Sequence, residues 1–306
     1  MRKLRLVVSL PNQNDYQREQ AKTATQRGME LGADVQVLYA DNDSVNQSQQ
    51  LLEILQSRTA PLPDAILTEP LTSTGLNRVG EAAVQAGVGW GLLNSTFDYV
   101  AQLRLKAAVP IFAVIRDHTE IGRIQGRQFA ALLPMGGGVL YIQGPATSAA
   151  AAQRTLGMES VRPANITIRA LRSSWTVEGA HEAVSAWLRL KTSQPDTIQL
   201  VGCQYDGLAM GARKAFQEIA SAEDRAKWLS LPFTGVDGLP KEGQAWVNRG
   251  ELTATVVAPI TTHVAVGLMI EALRSGKQPD EITLLELKSY PGLDKLTEKA
   301  KAAGKP

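Results

Sequence analysis

The chain has one cysteine, three histidines and almost no net charge, and each scarcity removes a class of function. Cys203 alone cannot form an internal disulfide or a multi-cysteine metal centre, and its place in an apolar run makes it a small buried side chain. His118, His181 and His263 are scattered, with no HExxH spacing, and neither a GxSxG elbow nor a GxxxxGK[ST] loop occurs. His118 follows Arg116 and Asp117 and is expected on the surface or at a hinge. No catalytic residue, metal site or cofactor is therefore expected. With 32 basic and 30 acidic residues among 306, the net charge of +2 supplies no field that would draw the chain to nucleic acid or to an anionic membrane. Long apolar runs are also missing, so direct membrane insertion is not expected. The opening MRKLRLVVSLP starts basic like a leader, but Arg5 interrupts its apolar run and Pro11 ends it, without a small-residue cleavage site after it. It reads as a first strand. The protein is expected in the cytoplasm if Met1 is the native start and in the periplasm if a leader has been removed.

What is present is an α/β rhythm. At 44% apolar and 20% charged residues, the chain can build the cores of two lobes. Strand-like runs at 4–10, 34–39, 65–67 and 88–93 alternate with helical patterns at 17–31, 44–57 and 76–86. After a linking segment, 107–116, the rhythm restarts with a helix at 121–132. Strands follow at 139–143, 166–171, 198–203 and 233–236, with helices at 149–161, 176–190 and 207–220. Then the order breaks: a helical segment at 240–249, a strand at 253–258, an apolar helix at 261–273 and a strand at 283–287 follow, and a late element of this stretch returns to the first half. The expectation is two similar α/β halves with parallel central sheets. The N-terminal lobe spans 1–116 plus 260–288, and the C-terminal lobe spans 117–259 plus 289–306. Several crossings between the halves would give a hinge of short parallel segments, the arrangement that lets two lobes close around a ligand. Gly136 to Gly138 precede a strand and read as a turn, not a phosphate loop; Gly87, Gly89 and Gly91 read as close packing.

Strand ends are the informative places. IQLVGCQYDGLAMGARKAFQ and FTGVDG each carry an apolar run into polar or acidic residues, at the carboxyl edge of a parallel sheet where ligands bind. Together with VVSLPNQNDY, IQGPATSAAAAQRTLGM and FTGVDGLPKEGQAWVNRGELTATVV, they make nearly the whole chain resemble the type I periplasmic binding proteins of the ribose-binding kind. That family shares its fold with the effector domains of lactose-repressor-like regulators. The resemblance implies two similar doubly wound (Rossmann-like) lobes with parallel central sheets, joined by a three-segment hinge. It also implies non-catalytic capture of a small polar ligand, a monosaccharide or related polyol, in the cleft between them by closure of the two lobes. The protein would then be the solute receptor of an ABC-type sugar transporter, with permease subunits as partners. The alternatives are a cytoplasmic sensor acting on a signalling protein, or a binder of a non-carbohydrate ligand. A strand beginning at Leu4 leaves no room for a helix-turn-helix.

Site residues follow from the same resemblance. Asn12, Gln13, Asn14 and Tyr16 lie where the family places an amide and an aromatic, and an amide both donates and accepts as a hydroxyl does. As residues of a turn before a helix they also suit capping. Arg154 in QRTLGM matches an arginine that forks onto ring hydroxyls, Asp237 in GVDG a carboxylate that accepts from hydroxyls, and Trp175 an aromatic that packs on a sugar ring. Tyr205 stands where asparagine is usual, and Asp206 beside it is expected to cap the following helix. At the end of the fourth strand the family's acid and arginine are replaced by Asn94 and Ser95, removing both charges, and Pro259 replaces a glutamine. A hydroxyl pattern other than that of ribose is expected.

Overall fold

The computed structural model describes residues 2–72, 74–190 and 197–303. Its elements run β1 (Leu4–Leu10), α1 (Asp15–Glu30), β2 (Ala33–Tyr39), α2 (Ser44–Gln56), β3 (Ala65–Thr68), α3 (Asn77–Gln85), β4 (Gly89–Leu93), α4 (Asp98–Arg104) and β5 (Ile111–Ile115). They continue with α5 (His118–Leu132), β6 (Gly137–Gln143), α6 (Ala149–Val161), β7 (Ile166–Arg172), α7 (Val177–Leu188), β8 (Leu200–Cys203), α8 (Asp206–Gln217), α9 (Ala222–Ser230) and β9 (Phe233–Asp237). The chain ends through α10 (Gly243–Asn248), β10 (Ala254–Val257), α11 (Thr261–Ser275), β11 (Ile282–Leu284), β12 (Lys288–Tyr290) and α12 (Leu293–Ala303).

Two compact units divide these elements: Met1–Arg116 with Ile260–Leu285, and Asp117–Pro259 with Glu286–Pro306. Each holds one sheet, ordered β2, β1, β3, β4, β5, β11 in the first unit and β7, β6, β8, β9, β10, β12 in the second. The first sheet is parallel throughout; in the second, β12 runs antiparallel to β10. In each, the chain leaves the first strand of the unit to one side and then the other, so a topological switch point lies beside β1 and beside β6. Val8 of β1 sits level with Val37 of β2 and Leu67 of β3.

The residue types explain these elements. Central strands are apolar on both faces because helices cover both: β3, β4 and β8 are buried at every position, whereas β2 and β7, at the sheet edges, expose several side chains. Alternate residues feed two layers. Leu6, Val8 and Leu10 pack with Phe112, Val114, Met269 and Ile270, while Val7, Ile66, Trp90 and Leu92 pack with Leu51 and Val79. In the second unit, Phe216 stacks on Trp228 at 4.7 Å between ring centroids. Each large side chain buried in this way contributes about 1.5–3 kcal/mol. Helix starts are set by side-chain caps: Asn14, Asp43, Asp117, Ser148, Thr176 and Ser221 each accept from a backbone amide in the first turn, and each such cap is worth about 1 kcal/mol. Gly276, at φ 71°, ends α11.

Several expectations are corrected. The linking segment at 107–116 contains β5, a full strand of the first sheet. Its sequence, IFAVI, is buried from Ile111 to Val114, so no alternation marked it. The strand expected at 283–287 is the shorter β11 of the first sheet, β12 after it belongs to the second sheet, and the first unit ends at Leu285 rather than at 288. Helices α4, α9 and α12 were not anticipated. The glycine readings fit: Gly136, at φ 85°, makes the turn into β6, and a Cβ on Gly91 would lie 2.4 Å from Leu67. Cys203 is buried and free, and burial pushes its thiol well above the ordinary value. Among the described residues, no helix is long and apolar enough to cross a membrane.

Candidate functional site

In the first unit the carboxyl ends of β1, β3, β4 and β5 gather one polar cluster. Asn94 follows β4 and adopts the left-handed φ of 60°. That conformation is uncommon for any residue but glycine, though asparagine tolerates it better than most. Its side-chain amide contacts the Tyr16 hydroxyl, at 3.3 Å from Nδ2 and 3.4 Å from Oδ1. The Arg116 guanidinium, just past β5, lies over the Tyr16 ring at 5.0 Å. Glu69, the residue after β3, accepts from Asn94 Nδ2 at 2.8 Å, Gln17 Nε2 at 3.1 Å and Gln20 Nε2 at 3.4 Å. Burial raises the Glu69 carboxyl above its ordinary value; the three amides and the positive charge of Arg116 oppose that shift. Gln20 is itself fixed from behind, donating to Thr261 at 2.8 Å and accepting from the Thr262 amide at 3.1 Å.

The other expected residues of this loop are used locally. Asn12 donates to Asn42 Oδ1 at 2.7 Å and accepts from the Asn14 amide at 3.0 Å, and Asn14 accepts from the Gln17 amide at 2.9 Å as the cap of α1. Gln13 is exposed. Ser95 is half-buried and its hydroxyl lies 3.4 Å from the Leu93 carbonyl. Tyr16 and Asn94 are thus brought together, whereas Asn12 and Asn14 shape the turn that carries them.

In the second unit Arg154 is only 5% exposed. Its Nη1 donates to the Gln204 carbonyl at the end of β8, and its guanidinium lies over the Trp175 ring at 5.5 Å. A network holds Gln204 in turn. Its Oε1 accepts from the Gly144 amide at 3.0 Å, and its Nε2 donates to the Ala151 carbonyl at 2.9 Å, to Thr155 at 3.0 Å and to the Tyr141 hydroxyl at 3.1 Å. Arg154 also depends on helix spacing, since a Cβ on Gly122 of α5 would stand 2.0 Å from the Arg154 carbonyl. Only glycine lets α5 and α6 approach this closely.

Asp237, the last residue of β9, is buried and takes φ 103°. Asn94 and Asp237 therefore occupy similar places, each a non-glycine residue in a left-handed conformation at a strand end. Such conformations cost about 1–3 kcal/mol and cluster at ligand sites. Asp206 corrects an expectation. It does not cap α8, whose N-cap is Tyr205 without a side-chain bond. Instead its carboxylate reaches across, accepting from Thr255 Oγ1 at 2.6 Å and from the Gly238 amide at 2.7 Å. Gly235 and Gly243 leave room for it, since a Cβ on either would lie 2.1 Å from a carboxylate oxygen. Burial pushes the Asp206 carboxyl well above the ordinary range, the nearby negative charge of Asp237 adds to this, and the Thr255 and Gly238 bonds oppose it. Tyr205 is 8% exposed, with its ring in the core beside Leu208 and Val201. His118 is half-buried as the first residue of α5.

Sequence reasoning missed Glu69 and Arg116, and it misjudged Asp206. The end of the fourth strand carries neither charge, as Asn94 and Ser95 show, while a carboxylate after β3 and a guanidinium after β5 stand at the same edge. The signal for Glu69 was available in AILTEP, an apolar strand that ends in an acid and is stopped by proline.

Relatives share this architecture. The D-ribose/D-allose-binding protein of Pseudomonas aeruginosa is 29% identical over 182 residues, 59% of this chain and only 55% of that protein's length. The ribose import binding protein RbsB of Escherichia coli is 28% identical over 251 residues, 82% of this chain and 77% of its own. Among solved structures, a galactofuranose binding protein superposes with a TM-score of 0.74 at 20% identity, covering 99% of this chain and 100% of its own. A periplasmic solute binding protein of an ABC transporter from Actinobacillus succinogenes, with bound D-allose, does so at 0.77 and 18% identity, covering 98% and 100%. The description of the periplasmic binding protein domain family matches residues 6–277, nearly the whole of both doubly wound units, and the chain belongs to that family.

Proposed function

We propose that the protein is a non-catalytic receptor for a monosaccharide or related polyol, serving an ABC-type sugar transporter from the periplasm and handing its ligand to permease subunits. The observation that carries this reading is the group at the strand ends of the second unit, where a buried guanidinium lies over an indole within a unit whose β9 ends in a buried carboxylate. These are the parts a sugar requires. The indole offers an apolar face for ring C–H groups, the planar guanidinium donates to hydroxyl oxygens, and the carboxylate accepts from hydroxyl protons. Arg154 and Trp175 take the first two roles and Asp237 the third.

In the first unit Asn94 and Tyr16 offer a donor and acceptor pair, with Asn12, Gln13, Asn14 and Ser95 in the loops that carry them. An acid and a guanidinium occur at the strand ends of each unit, which suits a ligand without net charge. Relatives named for ribose and allose, a structural neighbour named for galactofuranose and another with bound D-allose support the same ligand class. Binding favours a closed arrangement of the two units, limited by the ligand's differential affinity for the closed and open states.

The test is a thermal-shift and calorimetric screen against pentoses, hexoses, deoxy sugars and polyols, since a ligand at about 100 times its Kd adds about 2.7 kcal/mol of stability. Arg154→Ala and Asp237→Ala should fold normally and lose the response. Unchanged affinity in both variants would remove the site assignment, and no shift with any sugar or polyol would remove the ligand class.

A further inference from the structure

Glu69 stands apart from the other carboxylates of the first unit because of how its hydrogen bonds divide. Three side-chain amides, from Gln17, Gln20 and Asn94, all converge on Oε2. Among the described residues no hydrogen bond reaches Oε1, and the residue is only half-buried. A carboxylate whose orientation is locked through one oxygen presents the other as a directed acceptor with its lone pairs unused. Its lock extends into the core, because Gln20 is held by Thr261 and Thr262 at the start of α11. Its position is the carboxyl end of β3, next to the switch point beside β1, where open α/β sheets bind ligands. Asn94, which shares Oε2, is itself fixed in a left-handed conformation, so the pair forms a rigid donor and acceptor set.

We infer that Glu69 is a specificity-determining residue of the first unit, its Oε1 accepting from one hydroxyl of the ligand while Asn94, tied to its other oxygen, reads the adjacent position. This rests on the receptor reading above and deepens it. The acid that the fourth strand lacks is supplied from the third, so the carboxylate meets the ligand from a different strand, and the hydroxyl selected need not be the one that ribose presents there.

The experiment is calorimetric titration of D-ribose, D-allose, L-arabinose, D-galactose and myo-inositol into wild type, Glu69→Gln, Glu69→Asp and Asp237→Asn. The deoxy analogues of whichever compound binds best are titrated next. A hydrogen bond to a charged acceptor predicts that both Glu69 variants weaken the best ligand about ten- to hundredfold. Both should also lose discrimination against one deoxy position that Asp237→Asn still discriminates. Melting temperatures without ligand should stay within a few degrees of wild type. If the Glu69 variants bind and discriminate as wild type does while Asp237→Asn loses affinity, the receptor reading stands and Glu69 merely organises its amides. Failure of both Glu69 variants to fold would likewise make the residue structural and overturn the inference. If wild type binds neither this panel nor any sugar or polyol of the wider screen, the receptor reading falls and takes this inference with it.

Discussion

Replacing Asp206 separates its charge from its hydrogen bonds. The side chain is about 1% exposed and serves two donors, the Gly238 amide at 2.7 Å and the Thr255 hydroxyl at 2.6 Å, which tie the turn after Asp237 to β10. Asp206→Ala leaves both donors buried without an acceptor. At about 1–3 kcal/mol for each, the loss is about 4 kcal/mol, which in a domain of this size lowers the midpoint by roughly 8–16 °C. Asp206→Asn mimics the protonated acid: its oxygen accepts from Gly238 and its amide donates to the Thr255 oxygen, so the loss stays under about 1 kcal/mol near the ordinary carboxylate range. The sign of the pH effect follows from linkage. The folded acid holds its proton to higher pH than the unfolded one, so between the ordinary value of 3.8 and the raised folded value the native state binds more protons. Stability from this group is then present below that window and is lost as pH rises through it. Urea unfolding without ligand at pH 5 and pH 8 measures this directly. Asp206→Asn should gain on wild type as pH rises, and Asp206→Ala should be weaker than Asp206→Asn at both pH values. Parallel profiles for wild type and Asp206→Asn, or a loss under about 1 kcal/mol for Asp206→Ala, would refute the reasoning.

Two further outcomes test the second unit. Gly122→Ala forces a methyl to 2.0 Å from the Arg154 carbonyl, so α5 and α6 must separate; a loss of about 1–3 kcal/mol in urea unfolding is expected together with weakened ligand binding, and a stability unchanged within about 0.5 kcal/mol would show that the helices yield freely. Trp175→Phe keeps an aromatic face but removes the indole, so a ligand-induced change in tryptophan emission should largely disappear while binding persists; an undiminished change would place the reporter at another tryptophan.

The fold was legible wherever periodicity and strand ends agreed. VVSL before a polar loop, the buried run ILT and the apolar helix from Thr261 each announced their element, because burial on one or both faces writes itself into residue type. IFAVI failed for the opposite reason: buried almost throughout, it has no alternation, and its neighbours Pro110 and Arg116 made it look like a connection. The two three-residue strands near the end hold no fully buried residue and depend on pairing that no local pattern encodes. At the candidate site, Arg154, Trp175 and Asp237 stood out through resemblance and residue type. Glu69 and Asp206 did not, since their meaning lies in partners distant in sequence: Asn94 for one, Thr255 for the other. An acid before a glycine at a helix start suggests a cap, and only the space left by Gly235 and Gly243 shows where this one turns.

The division of the chain into non-contiguous units bears on how it is made. The core of the first unit includes Ala265, Val266, Met269 and Ile270 of α11, and its sheet is completed by β11, so a ribosome must synthesise through Leu285 before that unit can close over its own apolar surface. The second unit likewise awaits β12 and α12. The first unit cannot finish folding until most of the second has been made, and the second waits for the chain's last residues. The nascent chain therefore carries two unfinished sheets at once until its last few dozen residues emerge, and a premature stop after residue 259 would leave both units incomplete rather than one of them whole.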